Sequence, residues 1–260
     1  MKCESPKFQA EQLEERVLLA GNVALGIVLN AGGPSLDISL TGDADDNSLA
    51  VTTTGTGAGT QITVSLEDGG TFVPGVIAAP APVLAAIAAT VDAFSPSSIT
   101  FNATFANALA GGAAIPLNVD IDLGAGNDTV AVTDTTFGGD VSVDTGTGND
   151  TGVLVGNQFN GDVMVDMDGG NDLLHATFNV FGDNAGPFEN LTFDMGAGND
   201  LLEYGGNVFL NTGVVLVDGG DGHDRQDWIH GTPDDQYVNT SPLLPGWEVF
   251  DHADDSPTGV

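Results

Sequence analysis

The sequence predicts an all-β protein that forms a single parallel β-solenoid with coils of about 22 residues. One observation is a repeated motif between residues 117 and 224, in which a short strand, an aspartate and a glycine-rich turn follow one another. The other is its period. The first aspartate advances by 22, 22, 28 and 24 residues through Asp122, Asp144, Asp166, Asp194 and Asp218. A fixed period of this size is typical of coils that stack on one another.

Each coil is predicted from its residue types. Alternating stretches such as Val141–Val143 indicate half-buried strands, and the glycine-rich turn cannot stay extended. A second apolar stretch such as Val153–Val155 follows the turn. Stacked coils place equivalent residues above one another, so the sequence predicts two interior ladders. The predicted members are Phe137, Phe159, Phe181 and Phe209 in one ladder and Asn157, Asn179 and Asn207 in the other.

Two columns of aspartates are predicted to bind cations. They comprise Asp122, Asp144, Asp166, Asp194 and Asp218 before the turn, and Asp128, Asp150, Asp172, Asp200 and Asp224 at its end. Carboxylates about 5 Å apart repel by roughly 1 kcal/mol in water and about 3 kcal/mol at an effective dielectric constant of about 20. Arg225 is the only Lys or Arg after Arg16, so the chain itself cannot neutralise them. Oxygen ligands from carboxylates and turn carbonyls favour several Ca²⁺ ions; the alternative is an acidic surface with diffuse counterions.

The turns resemble the calcium-binding nonapeptide repeat of RTX proteins. Gly124–Val130 and Gly196–Leu202 carry the similarity. In that family the aspartate and the glycine-turn carbonyls bind Ca²⁺ in a parallel β-roll, which by position implies the second column of aspartates as ligands. This chain departs from the family because Leu123, Thr145, Met167 and Met195 replace the first glycine, which remains only as Gly219. The resemblance therefore implies a larger coil with one calcium-binding edge.

Residues 1–22 form a separate segment that holds Lys2, Lys7 and Arg16. Its Leu13–Leu19 stretch resembles the LEPR-XLL signature of exported planctomycete proteins, with Glu15 in place of the proline. The resemblance implies export to a cell surface. The segment is predicted either as a targeting sequence or as an amphipathic helix that covers the end of the solenoid.

The other boundaries follow from breaks in the repeat. Residues 23–116 are predicted as N-terminal β coils with a short helix near 82–94, where an alanine-rich stretch lies between prolines. Leu36–Val51 has the same strand–turn–strand pattern and is predicted as an earlier coil with a weaker calcium site. Residues 117–224 hold the regular repeats. Residues 225–260 are predicted as an irregular C-terminal cap, because the glycine pair is missing after Asp224.

Composition limits the possible functions. The net charge of −33 argues against electrostatic binding to nucleic acid or an anionic membrane. A single cysteine, Cys3, excludes internal disulfides, and no apolar run is long enough to predict a transmembrane helix.

An enzyme is not predicted. Parallel β-helices resemble polysaccharide lyases, but those need a basic residue, and the predicted folded body offers only Arg225. The histidines, His175, His223, His230 and His252, have no metal-ligand spacing and are predicted as surface or turn residues. Ice binding would need a threonine in every turn, and the equivalent positions hold Ala125, Thr147, Gly169, Ala197 and Asp221.

The sequence thus predicts a secreted structural protein of an extracellular matrix, biofilm or cell surface. We expect Ca²⁺ to stabilise the solenoid and its open ends to join head to tail into a fibre of identical chains. Polysaccharides or other surface proteins are further expected partners. The alternatives are a monomeric calcium-dependent adhesin or carbohydrate-binding module and, less favoured, a polysaccharide-acting β-helix enzyme.

Overall fold

The protein is a β-solenoid of stacked coils. The structure, a computed structural model, describes residues 21–30, 35–54, 61–67, 70–78, 98–102, 117–182, 189–210, 212–228 and 236–238. Within these ranges the secondary structure is entirely β, so the predicted fold class is confirmed. The predicted helix near 82–94, residues 1–20 and residues 239–260 lie outside the described residues.

Two long sheets form the body of the solenoid. Sheet A contains, in spatial order, β21 (Thr212–Asp218), β17 (Glu189–Asp194), β13 (Val163–Asp166), β10 (Val141–Asp144), β7 (Leu117–Asp122), β2 (Ser35–Thr41), β1 (Asn22–Asn30) and β5 (Thr71–Ala78). Sheet B contains β23 (Arg225–Trp228), β19 (Leu201–Gly205), β15 (Leu173–Thr177), β11 (Thr151–Val155), β8 (Thr129–Thr133), β3 (Ser48–Thr54), β4 (Gln61–Leu66) and β6 (Ser98–Asn102).

Two narrower sheets close each coil. Sheet C, at the glycine-rich turns, contains β14 (Gly169–Gly170), β18 (Ala197–Gly198) and β22 (Asp221–Gly222). Sheet D contains β24 (Gln236–Val238), β20 (Val208–Leu210), β16 (Val180–Phe181), β12 (Gln158–Phe159) and β9 (Thr136–Phe137). From β7 onward the chain passes from sheet A through the turn to sheet B and then sheet D before it starts the next coil.

The repeats stack in parallel register, so equivalent residues are neighbours. Asp144 pairs with Asp122 on one side and with Asp166 on the other. Residues alternate between the interior and the outer face, as in β11, where buried and half-buried positions alternate. The buried side chains of sheets A, B and D form one core, because every coil contributes its apolar face to the same interior.

Both predicted interior ladders are confirmed. The buried phenylalanines stack with ring centroids 5.4 Å apart for Phe137 and Phe159, and 5.3 Å apart for Phe159 and Phe181. The buried amides also bond from coil to coil: Asn157 N–H donates to Asn179 Oδ1 at 3.0 Å, and Asn179 N–H donates to Asn207 Oδ1 at 3.0 Å. These ladders lock the register of neighbouring coils.

The N-terminal layers are paired differently from the repeats. β2 and β3 extend the parallel stack through β7 and β8, so Leu36–Val51 forms the earlier coil that the sequence predicts. β1 then pairs antiparallel with β2, and β4 pairs antiparallel with β3. β6 also pairs antiparallel with β4, so three antiparallel junctions interrupt the parallel stack at this end, whereas the predicted coils were all parallel.

Backbone pairing continues beyond Asp224. β23 pairs in register with β19, although the glycine pair is absent there, and β24 pairs with β20. The last strands of all four sheets consequently lie in one layer at the C-terminal end. The described residues include no helix long and apolar enough to cross a membrane.

Candidate metal centre

The glycine-rich turns are stacked too closely for side chains. A Cβ added at Gly148 would lie 1.4 Å from the carbonyl oxygen of Gly126, and one added at Gly146 would lie 1.7 Å from that of Gly124. Both glycines also have positive φ, 156° and 77°, which other residues rarely adopt. The turns also bond to each other, since Thr147 N–H donates to Gly124 O at 2.8 Å. Glycine is therefore required by close approach and by backbone conformation.

The structure separates the ten predicted ligands into two kinds of site. The first column, at the end of the strands of sheet A, is exposed or half-buried. Its carboxylates cap their own turns: Asp166 Oδ1 accepts Asp168 N–H at 3.1 Å, and Asp194 Oδ1 accepts Gly196 N–H at 3.1 Å. Burial and the neighbouring carboxylates Asp122 and Asp166 raise the pKa of Asp144. We name these five residues the outer column.

The second column is buried beneath the turns. Asp128 and Asp150 are 1 % exposed, Asp172 and Asp200 are 3 % exposed, and Asp224 in the last coil is half-buried. We name these five residues the inner column. Their Oδ1 atoms accept backbone N–H groups from the preceding coil, at 2.7 Å for Asp128 N–H to Asp150 and 2.8 Å for Asp172 N–H to Asp200. One oxygen of each carboxylate thus extends the coil-to-coil bonding.

The second oxygen of these carboxylates is left without a partner. Oδ2 of Asp128, Asp150, Asp172 and Asp200 is buried and makes no hydrogen bond. A buried ionised oxygen in this state is costly, so the group must bind a proton or a cation. Burial, followed by repulsion from Asp150, raises the pKa of Asp128 to about 6. Burial and the carboxylates of Asp150 and Asp200 raise the pKa of Asp172 to about 7.

The chemistry of the inner column can be compared with what a hard cation requires. Asp128, Asp150, Asp172 and Asp200 each leave one buried carboxylate oxygen unpartnered, and carboxylate oxygens are ligands that Ca²⁺ prefers. Within the described ranges, no group of three or more His, Cys, Asp or Glu side chains is arranged around one ion position. A site here can therefore draw on no more than two of these side chains.

The predicted calcium site of the earlier coil is changed by its sequence. Asn47 takes the place of the inner-column aspartate there, and its N–H donates to Asp128 Oδ1 at 2.5 Å. Its Nδ2 donates to Asp45 O at 2.8 Å and to Leu123 O at 3.2 Å. An amide in this position thus bonds the turn carbonyls that a cation would need. Asn47 shows that the ladder position accepts a neutral residue.

The sequence interpretation missed one ladder on the surface of the turn. Asn149 N–H donates to Asn127 Oδ1 at 2.9 Å, and Asn171 N–H donates to Asn149 Oδ1 at 2.9 Å. Asn199 continues it in the next coil. The signal was present, because an asparagine precedes the inner-column aspartate in the first four repeats.

Of the two histidines in the described part of the chain, His175 lies apart from the aspartate columns, whereas His223 directly precedes Asp224. His223 is exposed at the last turn, and His175 lies on the outer face of sheet B with its Nδ1 3.2 Å from Glu203 Oε2.

Comparison with known proteins adds no family. No protein-family model, no curated protein and no solved structure matches the chain. The fold and the two aspartate columns are therefore the basis of the functional argument.

Proposed function

We propose that the protein is an extracellular structural element, a Ca²⁺-stabilised solenoid that joins head to tail into a surface or matrix fibre. The observation that carries the calcium part is the row of unpartnered Oδ2 atoms in Asp128, Asp150, Asp172 and Asp200. Four buried carboxylates in successive coils need positive charge, and no Lys or Arg lies between Arg16 and Arg225.

The difference in burial between the two columns favours the inner column as the site with the higher affinity for Ca²⁺. Outer-column carboxylates are accessible to water, which screens their repulsion. Inner-column carboxylates are shielded from solvent by the turn above them, so a cation that reaches them replaces a hydration shell that burial has removed. When bound, Ca²⁺ would supply positive charge between coils, while the aspartates and turn carbonyls hold it.

The assembly part rests on the terminal strands of the sheets in the described part of the chain. β21 is the last strand of sheet A at one end and β5 is the last at the other, and sheet B ends in β23 and β6. Strand edges of this kind pair with other chains unless they are covered. Opposite ends of one solenoid differ in sequence, so their contact is heterologous and produces an open filament.

Calcium dependence is tested by light scattering and negative-stain microscopy in millimolar Ca²⁺, followed by excess EGTA. We expect filaments with Ca²⁺ that dissociate with the chelator. A compact monomer whose size and unfolding temperature are unaffected by either reagent would refute the calcium part.

Head-to-tail polarity is tested separately by cross-linking. Val73 on β5 and Leu216 on β21 are exposed on the outer face of sheet A at opposite ends. In a Cys3→Ser background, a flexible bismaleimide should join single Val73→Cys or Leu216→Cys chains into dimers at most. The double variant should give trimers and longer chains. Equal products from single and double variants would contradict a polar fibre, whatever the calcium result.

A groove favours the adhesin as a second candidate function. The groove has a volume of about 510 Å³, lies on the outer face of sheet A and crosses several coils. Its lining combines carboxylates, a hydroxyl and a thioether, including Asp140, Ser142, Asp162 and Met164. Such a surface suits a polyhydroxylated ligand. If the protein stays monomeric in Ca²⁺ and binds polysaccharide, this alternative replaces the fibre.

A further inference from the structure

One corner of the solenoid departs from the repeat in several positions at once. It is the corner where sheet B ends, and its first residue is Asp134, Gly156, Phe178 or Gly206 in the first four repeats. On the adjoining face of sheet B, Ala131 and Val153 are followed in register by His175, Glu203 and Asp227. Because stacking needs only repeated residues, this group of changes at one corner indicates a further requirement there.

Phe178 is held in a conformation that disfavours it. Its φ is +56°, close to the values of +72° for Gly156 and +71° for Gly206 at the equivalent corners. Bulky residues rarely adopt this left-handed region. The ring is not buried in return, because Phe178 remains 49 % exposed. An aromatic residue that is both strained and exposed contributes little to the fold, which suggests a binding role.

Polar groups at the same corner are bonded to one another. Thr177, directly before Phe178, has its Oγ1 3.2 Å from Nε2 of His175. His175 Nδ1 lies 3.2 Å from Glu203 Oε2, and both side chains are about one-third exposed, at 30 % and 34 %. A neutral imidazole with its proton on Nδ1 satisfies both bonds, since Thr177 then donates to Nε2. The chain of bonds fixes the Glu203 carboxylate on the surface.

We propose that this corner binds an organic cation, a protonated amine or a quaternary ammonium group, between the face of Phe178 and the carboxylate of Glu203. An aromatic face attracts a cation within about 6 Å of its centroid. The carboxylate supplies the opposite charge, and the net charge of −33 attracts cations from solution. This site is independent of the aspartate columns and of fibre formation.

The full chain is titrated with tetramethylammonium chloride and, separately, with its uncharged analogue tert-butanol at physiological ionic strength. Binding is monitored by NMR. The Phe178 ring signals are assigned by their loss in Phe178→Gly, and the backbone amide signals of Thr177 and Glu203 report binding in every variant. We expect tetramethylammonium to shift these signals saturably and tert-butanol to bind about two- to fivefold more weakly. Equal shifts from both compounds, or none from either, would overturn the proposal.

Variants separate binding from folding. Phe178→Gly restores the residue of Gly156 and Gly206, so it should raise the unfolding temperature by about 2–4 °C while it abolishes binding. Phe178→Tyr should retain binding. Phe178→Leu and Glu203→Gln should each weaken it about two- to fivefold, and full affinity in Phe178→Leu would show that the ring acts only as apolar surface. A lower unfolding temperature for Phe178→Gly would assign Phe178 to packing instead.

Discussion

The buried asparagine ladder and the inner aspartate column make the same coil-to-coil hydrogen bond and differ in one side-chain atom. In both, Oδ1 accepts a backbone N–H from the preceding coil, as Asn179 does for Asn157 and Asp172 does for Asp150. The remaining atom differs. Asn179 Nδ2 donates to Leu154 O at 2.8 Å, whereas Asp172 Oδ2 has no partner. The amide ladder is therefore complete within the chain, and the carboxylate ladder is complete only with a proton or cation.

The largest expected effect comes from placing a carboxylate in the amide ladder. Asn179→Asp removes the donor to Leu154 O and adds an unpaired buried charge, which should destabilise the protein by about 3–5 kcal/mol at neutral pH. Urea unfolding measures it. At acid pH the protonated Asp can again donate to Leu154 O, so much of the loss should be recovered. A destabilisation that is equal at both pH values would show that charge is not the cause.

The pH dependence in chelator is the next largest effect. Folding raises the pKa of Asp128 to about 6 and of Asp172 to about 7, and their ordinary value is 3.8. These groups therefore favour the folded state when protonated, and this contribution is lost as pH rises through their folded pKa values. In EGTA the unfolding free energy should fall between about pH 4 and about pH 8, by on the order of 2 kcal/mol for Asp128 and about 4 kcal/mol for Asp172.

Saturating Ca²⁺ should make the unfolding free energy less dependent on pH. A cation on the inner column should remove most of the loss at high pH, because the ionised carboxylates are then paired. Urea titrations at several pH values, with Ca²⁺ and with EGTA, measure both curves. Stability that rises with pH in EGTA would contradict the assignment of buried, unpartnered Oδ2 atoms.

The sequence predicted the coil, both interior ladders and the stacking of the ten aspartates, because these depend on period and residue type; calcium binding by the aspartates stays a prediction. It predicted the two columns of aspartates but not that the second one is buried and the first is exposed or half-buried. Asp166 and Asp172 flank the same glycine-rich turn, and which one lies inside is decided by backbone angles at residues between them. The antiparallel pairing of β1 with β2 and of β4 with β3 was also missed, since an alternating strand has the same pattern in either direction. Pairing beyond Asp224 depends on backbone bonds, so the missing glycines did not reveal it.

Replacing an inner-column aspartate with an amide should have a moderate, favourable effect. Asn47 occupies this ladder position in the earlier coil with its Nδ2 bonded to turn carbonyls. Asp172→Asn should accordingly stabilise the protein in EGTA at neutral pH by about 1–3 kcal/mol and reduce its response to Ca²⁺. The matched control is Asp134→Asn, which removes the same charge at an exposed corner whose φ of +50° suits asparagine. If both variants behave alike, the effect arises from net charge alone.

The smallest expected effect concerns the exposed asparagine ladder, which has the geometry of the buried one without its burial. Asn149 Nδ2 donates to Asn127 Oδ1 at 3.2 Å, and its own Oδ1 accepts Asn171 N–H at 2.9 Å. Asn149→Asp keeps the acceptor and loses only the donor, and water can solvate both the new carboxylate and Asn127 Oδ1. The cost should therefore stay below about 1 kcal/mol in moderate salt. Thermal unfolding beside Asn179→Asp measures the contrast, and a loss as large as in the buried ladder would show that coil-to-coil amide bonding, not burial, decides the energetics of this solenoid.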